Sequence, residues 1–177
     1  HPYSLSAAPT ENFLRVTVKD LGDHSRSLAF LKRGTRVFVE GPYGAFTAGR
    51  ATRPHVVMVG GGVGITPVRA LIDEFKNGVQ IDVIYRASRK EDLVLKEELD
   101  YLEYHSNGSI RVHYLVGSRK EHPMDAETLK KLVPQIADSD IYICGPGPLV
   151  ETVKQAVEDL GVPKNRFHDE AFAFHSE

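Results

Sequence analysis

The run His55-Val56-Val57-Met58-Val59-Gly60-Gly61-Gly62-Val63-Gly64-Ile65-Thr66-Pro67 decides the fold. His55–Gly60 is continuously apolar after its first residue, the pattern of a strand covered on both faces. Glycines then break it, and Gly64–Lys76 carries Val68, Leu71, Ile72 and Phe75 at helical spacing. A buried strand, a glycine turn and a helix in that order place free helix N–H groups and a partial positive charge where an anion can approach the backbone. Pro67 suits a first helical turn, and Thr66 can cap the helix or bond a ligand. The spacing is neither G-x-G-x-x-G nor a P-loop with its Lys-Ser/Thr. Gly61, Gly62 and Gly64 are therefore candidates for holding a phosphate, with a turn needed only for packing as the alternative.

Downstream the alternation repeats. Val79–Tyr85 reads as a strand, Leu95–His105 as a helix, Ser109–Val116 as a strand and Ala126–Leu132 as a helix. Asp140–Cys144 reads as a strand, Pro148–Leu160 as a helix and Arg166–Phe172 as a final strand. This order predicts a doubly wound, parallel five-stranded α/β sheet with helices on both faces. Upstream the pattern differs. Pro2–Leu5 reads as a strand end, Phe13–Lys19 and Thr35–Glu40 alternate as half-buried strands, and Ser25–Leu31 is a short helix candidate. Two or three antiparallel strands cannot hold a core alone, so this front piece needs partner strands, upstream or from another molecule. The segment 49–54 reads as the linker, which divides the chain into 1–50 and 51–177.

The 177 residues carry a net charge of −2, so no global field recruits nucleic acid or anionic lipid. The single cysteine, Cys144, excludes an internal disulfide and a four-cysteine iron–sulfur or zinc site, and fits a reduced, cytoplasmic setting. No apolar run is long enough for a membrane span. A chain opening on His with no signal-like start is expected to begin at a processing boundary. The eight histidines show no H-E-x-x-H spacing, so no metal site is expected, and His55, His113 and His122 read as structural or exposed. Ser4 and Ser25 lack the setting of a nucleophile elbow.

Three further motifs carry chemistry. Cys144-Gly145-Pro146-Gly147-Pro148 ends an apolar strand, where the ligand crevice of a doubly wound sheet lies; a buried structural thiol is the alternative. Ser88-Arg89, with Arg86 close by, follows the second strand, and no acidic residue ends that strand to bond a ribose hydroxyl. The guanidinium groups favour a 2′-phosphate, hence NADP(H) over NAD(H), against a solvated basic turn balanced by Glu91 and Asp92. Gly22-Asp23-His24-Ser25 precedes the short helix and can hold a pyrophosphate or simply cap it.

In this order, His1-Pro2-Tyr3-Ser4-Leu5-Ser6, Gly41-Pro42-Tyr43-Gly44, Gly61–Pro67 and Cys144-Gly145-Pro146 resemble the ferredoxin–NADP reductase superfamily. The His1-Pro2-Tyr3-Ser4 opening is similar to its ferric reductase/NADPH oxidase type. The resemblance implies that residues 1–50 are the C-terminal part of an antiparallel β-barrel that binds FAD, and 51–177 an NADP(H)-binding domain. It implies that His1, Tyr3 and Ser4 meet the flavin, with Ser4 near its redox-active nitrogen, and that Gly22, His24 and Ser25 hold its pyrophosphate. Gly61, Gly62, Gly64, Thr66 and Pro67 would hold the nicotinamide nucleotide's pyrophosphate, and Ser88 and Arg89 its 2′-phosphate. Cys144, Gly145 and Pro146 would place the nicotinamide. Glu170-Ala171-Phe172 is similar to the C-terminal acidic-x-aromatic ending, which gives Glu170 a catalytic place beside Ser4 and Cys144. The aromatic covering the flavin is Phe172 or Phe174.

The implied activity is hydride transfer from NADPH to FAD, followed by electron delivery to haem, iron or oxygen. The implied partners are upstream flavin-domain strands and a haem-bearing membrane domain, with this part on the cytoplasmic face. The alternatives are a soluble flavin reductase feeding a ferredoxin or oxygenase, a non-catalytic NADP(H)-binding module, and a fragment inactive for want of its full flavin site.

Overall fold

The computed structural model describes residues 2–41, 43–75 and 78–172, with side chains to residue 170. His1, Pro42 and Phe174 lie outside the described residues, as do the side chains of Ala171 and Phe172. The strands are β1 (His55–Gly61), β2 (Gln80–Ala87), β3 (Ile110–Val116), β4 (Asp140–Pro146) and β5 (Phe167–Phe172). They form one parallel five-stranded sheet, as the sequence pattern predicts, and its strand order is β3-β2-β1-β4-β5. The helices are α1 (Asp23–Ser27), α2 (Ile65–Ile72), α3 (Lys96–His105), α4 (Ala126–Leu132) and α5 (Gly147–Asp159).

Each central strand is buried on both faces because its alternate residues enter two different cores. Val57, Val59, Ile84, Ile141 and Ile143 meet Leu129 of α4 and Val150, Val153 and Val157 of α5. Val56, Met58, Val83, Tyr85 and Tyr142 meet Val68 and Leu71 of α2 and Leu99 of α3. Phe46, Ala48 and Ala51 pack on this second core, so the front part of the chain lies on the α2/α3 face. There Tyr142 receives Phe46 and Phe75 edge-on, at centroid distances of 5.4 and 6.0 Å, and its hydroxyl donates to the Thr47 carbonyl at 2.9 Å. Buried Asp140 accepts from the Thr52 and Arg53 amides at 2.7 and 2.6 Å, which fixes the linker to the start of β4. At α4, Asp125 accepts from the Thr128 amide at 2.9 Å. Replacing this cap with alanine should cost about 1 kcal/mol in denaturant unfolding.

The front part departs from expectation. The predicted strands at Phe13–Lys19 and Thr35–Glu40 are not formed among the described residues; one antiparallel bridge joins Leu5 to Val16. The helix predicted over Ser25–Leu31 is α1 followed by a 3₁₀ turn, Leu28–Phe30. The alternation of these segments is real, but an alternating strand needs a partner for its backbone and its apolar face. Without one, Val37, Phe38 and Val39 stay 61%, 96% and 71% exposed.

Candidate functional site

In a 3-2-1-4-5 sheet the connections leave in opposite directions from β1 and β4, so a crevice opens where the carboxyl ends of these two strands meet. The backbones approach closely there. A methyl group placed on Gly64 would stand 2.1 Å from the Cys144 carbonyl oxygen, and one on Gly61 2.4 Å from a Leu149 methyl. One on Gly145 would come 3.2 Å from the Gly61 Cα. Gly61, Gly64 and Gly145 are thus glycine because two chain segments pass in contact. Gly62 differs. Its φ is +56°, which a side chain tolerates poorly, and nothing lies within 4 Å of where a Cβ would point. No side chain caps α2, which starts immediately after this turn. An open glycine beside an uncapped helix start fits a phosphate group. Thr66 is buried and donates to the Val63 carbonyl at 3.0 Å, and Pro67 is buried with it, so both shape the turn from below.

Cys144 pairs with Glu170 across the β4–β5 register, and Pro146 with Phe172. By strand alternation, Cys144 shares the face of Tyr142, the face that the front part of the chain covers. Its thiol is fully buried, and burial first and the Glu170 carboxylate second push its pKa well above the ordinary value. Burial also raises the Glu170 carboxyl. Burial thus acts against the charged form of both groups. The folded protein is expected to resist iodoacetamide at pH 8 and to react at Cys144 only when unfolded; fast labelling of the native chain would contradict the burial. A cavity of about 140 Å³ adjoins Glu170, bounded by Gly44, Phe46, Arg50 and His168. A larger one of about 420 Å³ opens at the opposite end of the sheet, beside Ile81 and Ile110 at strand starts, away from the crevice.

The basic residues divide. Arg86 is buried and gives its guanidinium to the carbonyls of Ala87, Leu115 and Gly117 at 2.6, 3.0 and 2.7 Å. Among the described residues it clamps the ends of β2 and β3 and does not face outward. Ser88 and Arg89 are exposed, and Arg89 holds Asp92 with two contacts of 3.2 Å. In the front part, Tyr3 is 41% exposed and Ser4 half-buried. Ser25 closes its own loop, accepting from the Leu21 amide at 2.8 Å and donating to the Gly22 carbonyl at 3.0 Å. Gly22 has φ +147°, and His24 follows it on α1.

Sequence reasoning missed two polar networks. His55 and His113 both place Nε2 on the buried Asp82 carboxylate, at 2.8 and 2.7 Å, and Ser139 Oγ lies 2.5 Å from His55 Nδ1. The other joins Arg15, Glu98 and Arg69. The first had a signal: His55, Asp82 and His113 interrupt otherwise apolar strands.

The model of the family described as the oxidoreductase NAD-binding domain matches residues 58–155. NADH-cytochrome b5 reductase 1 of Pyricularia oryzae is 36% identical over 170 residues, covering 86% of this chain and 55% of the relative. The counterpart from Aspergillus oryzae is 32% identical, covering 91% of this chain and 62% of the relative. The chain thus spans little more than half the length of these relatives. Among solved structures, the CS-b5R domains of human Ncb5or superpose with a TM-score of 0.73 at 17% identity, covering 96% of this chain and 55% of that one.

Proposed function

The chain belongs to the oxidoreductase NAD-binding domain family, and from that premise we propose that it is the nucleotide-binding part of a flavin-dependent NAD(P)H oxidoreductase of the ferredoxin reductase-like superfamily. The observation that carries this reading is the open, left-handed Gly62 beside the uncapped start of α2, set against Cys144-Gly145-Pro146 across the crevice. Gly61, Gly62 and Gly64 with the first amides of α2 hold the dinucleotide's pyrophosphate, and the Cys144–Pro146 edge receives the nicotinamide. The flavin supplies the hydride-accepting and one-electron chemistry when bound. Tyr3 and Ser4 would face it, Gly22, His24 and Ser25 would hold its pyrophosphate, and its barrel would be completed by strands beyond residues 1–50. This chain's part in the chemistry is to position two rings and exclude water; no side chain need act as a general base.

For the acceptor, we favour a haem protein, because the relatives carry cytochrome b5 reductase in their names. The narrower ferric reductase/NADPH oxidase type rests on the His1-Pro2-Tyr3-Ser4 opening alone. A soluble flavin reductase feeding a ferredoxin or oxygenase is the second reading. A cytoplasmic setting remains part of the proposal on the strength of the lone cysteine.

Nucleotide choice turns on Arg89. Arg86 is engaged by backbone carbonyls, and Arg89 is 72% exposed and paired with Asp92. An exposed pair of this kind is weak, so a 2′-phosphate can displace the carboxylate at small cost. NADH and NADPH are therefore expected to bind within about tenfold of each other. Arg89→Ala should weaken NADPH by about tenfold and leave NADH unchanged, as calorimetric titration would read. Equal losses for both would remove Arg89 from the phosphate site. Failure of both nucleotides to bind the parent chain would remove the proposal itself.

A further inference from the structure

Residues 4–17 meet α2 and α3 through a closed ring of polar contacts. Ser6 is fully buried; its hydroxyl accepts from Arg15 Nε at 3.1 Å and from Thr17 Oγ1 at 2.9 Å, and its carbonyl accepts from Arg15 Nη2. The other edge of the same guanidinium meets Glu98 of α3 with two parallel contacts, Nη1 to Oε1 at 2.5 Å and Nη2 to Oε2 at 3.0 Å. Glu98 Oε2 also accepts from Arg69 Nε of α2 at 2.6 Å. Arg69 Nη1 lies 2.7 Å from Asp73 Oδ2, and that oxygen accepts from the Ala8 amide at 3.4 Å, which returns the ring to the front segment.

This ring sits where apolar anchoring is thin. Phe13, Leu14 and Val16 are about half exposed, and the two limbs of the segment meet through the Leu5–Val16 bridge and backbone bonds from the Ser6 amide to the Arg15 carbonyl at 2.8 Å and from the Thr10 amide to the Phe13 carbonyl at 3.2 Å. Arg69 lies one helical turn beyond Ile65, where α2 leaves the glycine turn. The contacts therefore run from the Ser4–Ser6 turn to the helix that carries the nucleotide loop. The fork-to-fork geometry between Arg15 and Glu98 fixes direction as well as distance. Both side chains are 34% exposed, so the pair is open to screening by salt, whereas Arg69 at 12% is not.

We propose that Glu98 is a positioning residue: through Arg15 it holds the Ser4–Ser6 turn against α2 and sets where the flavin-facing segment stands relative to the nucleotide loop. The meaning of that placement for electron transfer rests on the function proposed above; the placement itself does not.

Amide hydrogen exchange on the chain as it stands tests this, comparing the parent with Glu98→Gln, Arg15→Ala and the double variant. Each single variant should raise exchange over residues 4–17 by about fivefold or more, and the double variant no further, since either change opens the same ring. Exchange over 55–61 and 140–146 should not move, and NADH affinity should stay within about twofold. About 0.5 M NaCl should reproduce the loosening in the parent and add nothing in Glu98→Gln, a response that a merely structural role would not give. Unchanged exchange over 4–17 in both single variants overturns the proposal, as does additive loosening in the double variant or equal loosening of the strands. If NADH does not bind the parent while the exchange pattern holds, the functional reading falls and the positioning role stands. If NADH binds and the exchange pattern is absent, the reverse follows.

Discussion

Gly64→Ala is expected to destabilise the protein by about 3 kcal/mol and to abolish dinucleotide binding, because its methyl has nowhere to go. The added carbon would stand 2.1 Å from the Cys144 carbonyl oxygen and 2.5 Å from its carbon, both backbone atoms that no rotamer change can move. Relief requires separating the ends of β1 and β4, and that opens the crevice. Gly62→Ala is the informative contrast. It meets no atom within 4 Å, and its cost is the left-handed backbone at φ +56°, about 1–2 kcal/mol. Its methyl would occupy the open cradle, so nucleotide affinity should fall by more than tenfold, ~1.4 kcal/mol, while the fold survives. Denaturant unfolding and calorimetric titration separate the two effects. Parent-like melting of Gly64→Ala would contradict the close approach of β1 and β4, and parent-like binding by Gly62→Ala would move the phosphate elsewhere.

Asp82→Ala should lower unfolding stability by about 3–5 kcal/mol, since it leaves two imidazoles buried around a missing acceptor. His55 and His113 each meet this carboxylate at under 3 Å, and Ser139 and the more distant Arg111 complete the surround. Burial acts to raise the Asp82 carboxyl, but hydrogen bonds from His113 and His55, with their charges, outweigh it, so the folded value lies well below the ordinary 3.8. A carboxyl depressed on folding stabilises fully above its unfolded pKa, near 4, and loses that contribution as pH falls from there towards the folded value. The parent should therefore lose stability below about pH 4, and Asp82→Ala should show a flatter acid limb. Equal acid limbs in the two proteins would show that other carboxylates govern acid unfolding.

The nucleotide-binding half was legible because its signal is local and periodic. A continuous apolar run buried on both faces, then glycine, then a 3.6-residue period, admits few architectures, and the five strands and their helices lie where that pattern puts them, except that α2 ends at Ile72 and leaves Phe75 in the turn after it. The front part was legible only as a pattern. Thr35–Glu40 alternates as a strand should, yet forms none here, because a strand is a property of a pair. Within the site, the sequence marked Gly61, Gly62 and Gly64 alike. Only geometry separates two glycines that let backbones touch from one that faces open space. The same holds for Arg86 and Arg89: identical side chains three residues apart, one turned in to carbonyls and the other out to solvent. The ring through Arg15, Glu98 and Arg69 joins residues up to 83 positions apart and left no mark in any local pattern.

Under the proposed function, a nicotinamide dinucleotide binds at the carboxyl ends of β1 and β4. Backbone amide chemical-shift mapping during titration with NADH tests it most directly. Saturable shifts are expected at Gly61–Thr66, Ser88–Arg89 and Cys144–Gly145, with the amino ends of the strands unmoved. Saturation with shifts confined to residues 78–81 and 105–110, around the larger cavity, or no saturation at all, would contradict it.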